Sequence, residues 1–430
     1  MTNIYPVPPP FFILAKLPYH RVLISLLFFL LAGNATAGQL SSPQYLPTVS
    51  LPEETVLCLQ SNDWGCALDY LVPAYEEQGQ NSNLHYYIGY CLQQQANHAI
   101  SQQKLQEGAE LLQQAVEYVN DKASLYADLG YTWFQLSEYE QSYWAFSDAA
   151  ALAPGNAAYA EMLGRISYIT SDFKNAQHHW QKALELDPEN TKLHKRLAQL
   201  DNQLSITREG TTEVNHTFSI TFDAGMDRDI YTAVWEILED ARYELGVQLD
   251  LWPKRTISVL LLTRQKFTSV AAAPFWSEGI YEGQIKIPIA DFNAAHLRDV
   301  IYHEYMHALL HDAMANRCPW WLNEGLAQFF QPGQHYKDKM LQFAESLLAQ
   351  NNNLDPSQLP GRLGTESQAR TAYALALSAV QHIVDRFTLV VLRTILFDMS
   401  SGLSFDTALA QNTAYSVEEL HQMWNNATAP

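Results

Sequence analysis

The sequence predicts an all-α region built from repeated helix pairs, followed by an α+β region. In the first half, equivalent residues recur 34 positions apart, as do Gly130 and Gly164, and Pro154 and Pro188. In the second half the apolar residues alternate, as in Phe218–Phe222, which is typical of strands. With 430 residues, the chain is long enough for two domains that each have their own core.

The first 37 residues predict a cleaved export signal. A basic patch precedes the apolar run Val22 to Ala32, and Ala35-Thr36-Ala37 supplies the small residues that a signal peptidase reads. This run of eleven residues, apolar except for Ser25, is too short to span a bilayer comfortably. We therefore expect an exported protein, periplasmic or secreted, with a linker at 38–52 and no stable membrane span. An anchor formed by an uncleaved signal is the alternative.

The charge balance excludes some partners. The chain has 26 basic and 46 acidic residues, for a net charge of −20. Because such a surface repels phosphate groups, we expect neither nucleic acid nor anionic lipid as a partner.

The chain has four cysteines, whose pairing depends on the cellular compartment. Export implies oxidising conditions in which disulfides form, and one disulfide is expected among Cys58, Cys66 and Cys91. Which two of them pair is left open. Cys318 lies far away in the sequence and is a candidate free thiol.

The 34-residue period resembles the tetratricopeptide repeat (TPR), a pair of helices with Tyr, Gly and Ala at fixed places. We predict a TPR-like all-α solenoid over 53–204, with the helix near Thr191–Leu204 as its cap. One early unit, which contains Gly89, has about seven extra residues. The groove of such a solenoid predicts a protein or peptide partner. A rigid spacer, or a lid over the second domain, is the alternative. A polar linker is expected at 205–213.

The α+β region is predicted over 214–430. Phe218–Phe222 and Ile257–Leu262 alternate as strands do, with a helix near Arg228–Leu245 between them. The segment Gln284 to Ile289 predicts an edge strand on which an extended peptide could dock, because Pro288 is tolerated only at an edge or a strand end. An ordinary core strand is the alternative for this segment.

A metal-binding motif follows. His303-Glu304-Tyr305-Met306-His307 lies in a predicted helix, with Asn293 as its N-cap. Residues four apart share a helix face, so His303 and His307 can bind one metal ion, while Glu304 is rotated by about 100° and can hold a water. His311 is too far along the helix to share that metal with His303, because eight residues rise about 12 Å. We expect it to support the ligands or lie at the surface.

HEYMH, together with Trp321-Leu322-Asn323-Glu324-Gly325-Leu326-Ala327, resembles the gluzincin metallopeptidases, most closely the short bacterial domains of the peptidase-MA-like kind. The resemblance covers about residues 210–430 and implies an α+β zincin-like metallopeptidase domain. By position it implies one Zn²⁺ per chain, held by His303, His307 and Glu324, with Glu304 as general base. It also suggests Tyr373 as the donor to the oxyanion; a tyrosine packed within its helix is the alternative. The GxMEN motif of the zinc aminopeptidases is absent, which favours an endopeptidase.

The function predicted from these motifs is that of an exported zinc metalloendopeptidase, a hydrolase whose zinc-activated water attacks a peptide bond while Glu304 takes the proton. The TPR-like region would recruit substrate or partner proteins. The alternative is a TPR scaffold or chaperone-like protein in which proteolysis is weak, gated or lost. A zinc hydrolase acting on a non-peptide bond is a third hypothesis.

Overall fold

The computed structural model describes residues 51–79, 83–102, 104–222, 227–271, 279–289, 294–314, 317–350, 354–355 and 365–426. All of them belong to one compact unit. The predicted signal, most of the predicted linker at 38–52 and the predicted N-cap Asn293 lie outside the described residues.

The first part of the chain is a stack of helix hairpins, so the TPR-like all-α region is confirmed. The described hairpins are α1 and α2 (Glu53–Gln60, Trp64–Gln78), α3 and α4 (Leu84–Ser101, Leu105–Tyr118), α5 and α6 (Ala123–Gln135, Tyr139–Leu152), and α7 and α8 (Ala157–Ile169, Phe173–Leu186). A ninth helix, α9 (Thr191–Glu209), packs against α8 and covers the end of the stack.

The repeated glycines explain the 34-residue period physically. A Cβ added to Gly130 would lie 2.8 Å from Phe146 Cδ2, and one added to Gly164 would lie 2.2 Å from Trp180 Cδ1. Phe146 and Trp180 are themselves 34 residues apart, and both are buried. These two units therefore use a glycine on the first helix to admit a large aromatic ring from the second.

Cys58 and Cys66 form the disulfide, which joins α1 to α2, and Cys91 and Cys318 are free thiols.

The linker expected at 205–213 takes a different form in the structure. α9 continues to Glu209, and a strand, β1 (Thr211–Val214), begins two residues later. The repeat region thus passes into the sheet through regular secondary structure.

The sheet in the described residues has five strands in the order β1-β2-β3-β5-β4. β2, β3 and β5 are parallel neighbours, and β1 and β4 add antiparallel at the two edges. The strands after β1 and the helices among them are β2 (Phe218–Phe222), α10 (Arg228–Leu249), β3 (Ile257–Leu262), α11 (Arg264–Val270), β4 (Ile280–Tyr281) and β5 (Ile285–Pro288).

The prediction of an edge strand at Gln284 to Ile289 was wrong, and the alternative of a core strand is correct. β5 lies between β3 and β4, and all four of its residues are buried. Pro288 is accommodated because it is the last residue of the strand. The edge on this side of the sheet is β4, which is two residues long.

Helices make up the rest of the described chain: α12 (Ala294–Met314), α13 (Trp320–Phe330), α14 (Gln334–Gln350), α15 (Glu366–Ser400), α16 (Phe405–Thr413) and α17 (Val417–Asn426). α12 packs against β4, β5, α10 and α13, so the HExxH motif lies on a helix that is enclosed on several sides. Its residues Ile301, Tyr305 and Leu309 are buried, as the helical stripe predicts.

One described helix, α15, is long and apolar enough to cross a membrane when judged by length and composition alone. Thr388, with φ 75° and ψ 159°, breaks its helical geometry. Its residues Leu375, Val380 and Leu392 belong to the buried core that α12 and α13 share.

Candidate metal centre

Two successive helices bring the predicted ligands together. His303 and His307 lie one turn apart on α12, and Glu324 lies on the first turn and a half of α13. One potential ligand atom from each of the three residues lies within 4.8 Å of the others. In the described residues, His303, His307 and Glu324 form the one group of three or more His, Cys, Asp or Glu side chains that could hold a metal ion.

The distances fit a tetrahedral ion. Glu324 Oε2 lies 3.6 Å from His303 Nε2 and 3.7 Å from His307 Nε2. Ligands at about 2.1 Å from a tetrahedral zinc are separated by about 3.4 Å, close to the distance from Glu324 to each histidine. Glu324 Oε2 is also buried without a hydrogen-bond partner among the described side chains and backbone. A cation at this point would satisfy it.

The outer nitrogens of the two histidines are held by amide side chains. Gln331 Oε1 lies 3.2 Å from His303 Nδ1, and Asn323 Oδ1 lies 3.0 Å from His307 Nδ1. Because each amide oxygen can only accept, it fixes the proton on Nδ1 and leaves Nε2 as the free donor atom for a metal. Both imidazoles are therefore preset in the tautomer that a metal requires.

Close packing places Glu324. A Cβ added to the next residue, Gly325, would lie 2.4 Å from the carbonyl oxygen of Ala376. α13 therefore approaches the backbone of α15 more closely than a side chain at this position would allow, and the residue before Gly325 is Glu324.

Electrostatics distinguish the two glutamates. Burial raises the pKa of Glu304 to about 7; His307 and a hydrogen bond from the backbone of Tyr281 oppose the rise, and Glu324 adds to it. Burial also raises the pKa of Glu324, but His307 and His303 more than offset this, so its pKa lies below the usual value. Glu324 thus carries the negative charge that a metal ligand needs.

Glu304 points between α12 and the edge strand. Its side chain accepts a hydrogen bond from the Tyr281 backbone, and a Cβ added to Gly279 would lie 2.8 Å from its Oε1. Its Oε2 is buried and has no hydrogen-bond partner in the described part of the chain. One oxygen of this carboxylate therefore has unused capacity to accept a proton.

Tyr373 lies near the centre, on α15. Burial raises the pKa of its hydroxyl. The negative charges of Glu324 and Glu304 raise this pKa further, so the hydroxyl is near enough to interact with both carboxylates. Its ring stacks on Trp320 at a centroid distance of 6.2 Å. The hydroxyl stays protonated at neutral pH and can donate a hydrogen bond.

His311 is half-buried, and its hydrogen bonds to Tyr139 and Tyr281 point away from the predicted ligands. It lies where α12 meets the repeats, between Tyr139 of α6 and Tyr281 of β4. Sequence reasoning also missed Tyr281 and Gln331. Neither has a local signal in the sequence, because each reaches the site only through tertiary packing.

Comparisons with known proteins assign no family. No protein-family model matches the chain, and no curated protein matches it. Among solved structures, it is similar to a crystal structure of MamA, with 15% identity over 36% of this chain and 87% of that chain and a TM-score of 0.27. It is also similar to residues 41 to the end of MamA from Desulfovibrio magneticus RS-1, with 17% identity over 36% and 88% of the two chains and a TM-score of 0.27. These similarities assign neither an activity nor a ligand to this chain.

Proposed function

We propose that this protein is an exported zinc-dependent metalloendopeptidase. The observation that carries the proposal is the convergence of one potential ligand atom each from His303, His307 and Glu324 within 4.8 Å of one another, with Glu324 Oε2 buried and accepting no hydrogen bond. Two neutral imidazoles and one carboxylate leave a fourth position open, as in catalytic rather than structural zinc sites.

The chemistry follows from the side chains around that position. Zinc, when bound, would lower the pKa of a water and polarise the peptide carbonyl. Glu304 would accept the proton of the attacking water on its free oxygen and later deliver it to the leaving nitrogen. Tyr373 would donate a hydrogen bond to the oxygen on which negative charge develops.

The substrate would bind beside the edge strand. Within the described part of the chain, β4 pairs with β5 alone, and its Tyr281 contacts Glu304 through the backbone. An extended peptide can add to such an edge through main-chain hydrogen bonds, which recognise any sequence. We therefore propose β4, in place of β5, as the docking strand.

Export is part of the proposal. The predicted signal at 1–37 and the disulfide between Cys58 and Cys66 both support an oxidising compartment outside the cytoplasm. Sequencing the amino terminus of the mature protein tests this: a start at Gly38 supports cleavage, and a start at Met1 contradicts it.

The decisive experiment changes Glu304→Gln. Purified wild-type protein should contain about one zinc per chain and cleave unfolded casein in a chelator-sensitive manner. The variant should keep its zinc and lose between about 10²- and 10⁴-fold in cleavage rate. Glu345→Gln, the same change at an exposed position of α14, is the matched control and should cleave as wild type does. A wild type that binds no zinc, or a variant of undiminished activity, contradicts the proposal.

The helix stack supports a second candidate, a scaffold whose main activity is to hold protein partners. Stacked repeats expose extended surfaces that bind peptides and proteins, and this holds whether or not the metal centre is active. The same variant separates the two functions. If Glu304→Gln performs the cellular task unimpaired, binding is the function and proteolysis is dispensable.

A further inference from the structure

The repeats contact the hairpin that carries the edge strand. Ser171 Oγ, in the turn after α7, donates to the carbonyl oxygen of Gly283 at 2.6 Å, in the turn between β4 and β5. Gln203 of α9 donates through Nε2 to Gln284 Oε1 at 3.0 Å, and this pair is buried. The turn of the hairpin is thus bonded to the repeat region at two points.

A buried lysine adds a third attachment. Lys286 of β5 has no exposed surface, and its Nζ donates to the Tyr168 hydroxyl of α7 at 2.9 Å. The same Nζ donates to Glu282 Oε2 at 3.1 Å and to the carbonyl oxygen of Val270 at 3.3 Å. Separating a buried ammonium group from any of its three acceptors would cost free energy, because the charge would lose a hydrogen bond without gaining water. This contact therefore holds the hairpin firmly against the repeats.

The hairpin is shaped to receive the end of α7. Gly283 has φ +75°, in the left-handed region that favours glycine. A Cβ there would also lie 3.0 Å from the carbonyl oxygens of Tyr168 and Ile169. Any larger residue would be strained and would push the turn away from the repeats.

A second connection runs through His311. The Tyr139 hydroxyl lies 3.3 Å from His311 Nε2, and the Tyr281 hydroxyl lies 3.0 Å from His311 Nδ1. A neutral imidazole donates from one nitrogen and accepts at the other, so both ring nitrogens are used. The rings of Tyr139 and His311 also stack, at a centroid distance of 5.9 Å. Three elements, α6, α12 and β4, therefore meet at one side chain.

These attachments converge on the candidate general base. Tyr281, whose hydroxyl bonds to His311, is the residue whose backbone donates to Glu304. β4 is only two residues long and pairs with one neighbour, and so short an edge strand has little rigidity of its own. Its position depends on what holds it from outside the sheet.

We propose that the repeat region completes the candidate active site, with Tyr139 and His311 acting as positioning residues that fix Tyr281, and through it Glu304. The proposal rests on the proposed peptidase function for its effect on catalysis. Its structural part, that the repeats order β4, stands independently of that function.

The test compares two tyrosines in the same helix. Tyr139→Phe removes the hydroxyl that reaches His311. Tyr143→Phe removes a hydroxyl that lies 3.0 Å from His179 Nε2, within the repeats, and is the matched control. For each full-length variant we would measure zinc content, kcat and KM for casein cleavage, and amide hydrogen exchange of the segment 279–285.

We expect Tyr139→Phe to keep its zinc and its KM while kcat falls about tenfold, because a misplaced base slows the chemical step more than it weakens binding. Exchange at 279–285 should accelerate about fivefold, as loss of one hydrogen bond implies, while exchange at 218–222 stays constant. Tyr143→Phe should match wild type in every measurement. Ser171→Ala, which removes the hydrogen bond to the carbonyl oxygen of Gly283, should change kcat and hydrogen exchange in the same direction as Tyr139→Phe.

Two results would overturn the proposal. One is unchanged exchange and kcat in both Tyr139→Phe and Ser171→Ala. The other is an equal response in Tyr143→Phe, which would show only that the repeat fold had been weakened. If the wild type cleaves nothing, the proposed function fails, and the exchange measurement still decides whether the repeats order β4.

Discussion

His311 gives a quantitative prediction about stability and pH. Burial lowers the pKa of His311 from 6.5 to about 4; Arg255 lowers it further and Asp312 opposes the change. The half-buried imidazole lies between Tyr139 and Tyr281, whose hydroxyls face its two nitrogens. Protonation would force both nitrogens to donate, and it would place a cation between two aromatic rings with little access to solvent at its nitrogens.

The sign follows from proton binding. Between pH 6.5 and pH 4, the unfolded state carries a proton on His311 and the folded state does not. The free energy of unfolding therefore falls as the pH falls through this window, and the contribution is fully present above pH 6.5. The linkage relation gives a loss of about 2 kcal/mol between pH 7 and pH 5 for a shift of this size.

The assay compares wild type with His311→Gln, a side chain that keeps hydrogen-bonding groups and does not titrate. Urea unfolding at pH 7 and pH 5 measures the free energy of unfolding of each protein. The other titrating groups are common to both, so the difference between the two pH-dependent losses isolates His311. Wild type should lose about 2 kcal/mol more than the variant. Equal losses would refute the argument, because they would mean that the imidazole titrates normally in the folded protein.

Three further predictions concern the metal centre. Asn323→Ala should weaken zinc binding by about 10- to 100-fold, measured by competition with a chelator; an unchanged affinity would show that the amide does not orient the ligand. Gly325→Ala would place a methyl group against the Ala376 carbonyl and should lower the free energy of unfolding by about 1–3 kcal/mol in urea. Gly155→Ala, where a Cβ meets nothing within 4 Å, should leave stability nearly unchanged, and an equal loss in both would contradict the packing argument. Tyr373→Phe should keep its zinc and cleave casein about 100-fold more slowly; full activity would assign the oxyanion contact elsewhere.

The sequence predicted elements best where the signal is local and repeated. The spacing of Gly130 and Gly164 predicted the helix pairs correctly. Each of these glycines contacts an aromatic ring from the other helix of its unit, so the spacing reports a real packing contact. Strands β2 and β3 match their predicted bounds, since β2 alternates over its whole length and β3 is a short apolar run that is buried almost throughout. The prediction for Gln284 to Ile289 failed on sheet order, because proline placement alone cannot distinguish the end of a core strand from an edge.

The candidate site shows the same division. The convergence of His303, His307 and Glu324 was predictable because helical spacing brings the two histidines together and a short connection brings the glutamate to them. Tyr281 and His311 were missed or misplaced because their contacts join segments far apart in the chain. The hydroxyl that meets His311 Nε2 comes from Tyr139, 172 positions earlier in the sequence. Spacing within a motif carries no information about such a partner.

The continuity of the chain between the two regions limits what the repeats can do. A module that only recruits substrate works best on a flexible linker, which lets the captured chain search for the active site. Here α9 leads directly into β1, and the buried Lys286 joins the hairpin to α7. A peptide held by the repeats would therefore meet β4 in one orientation and at one distance. The recruitment hypothesis therefore requires a peptide held by the repeats to extend towards β4.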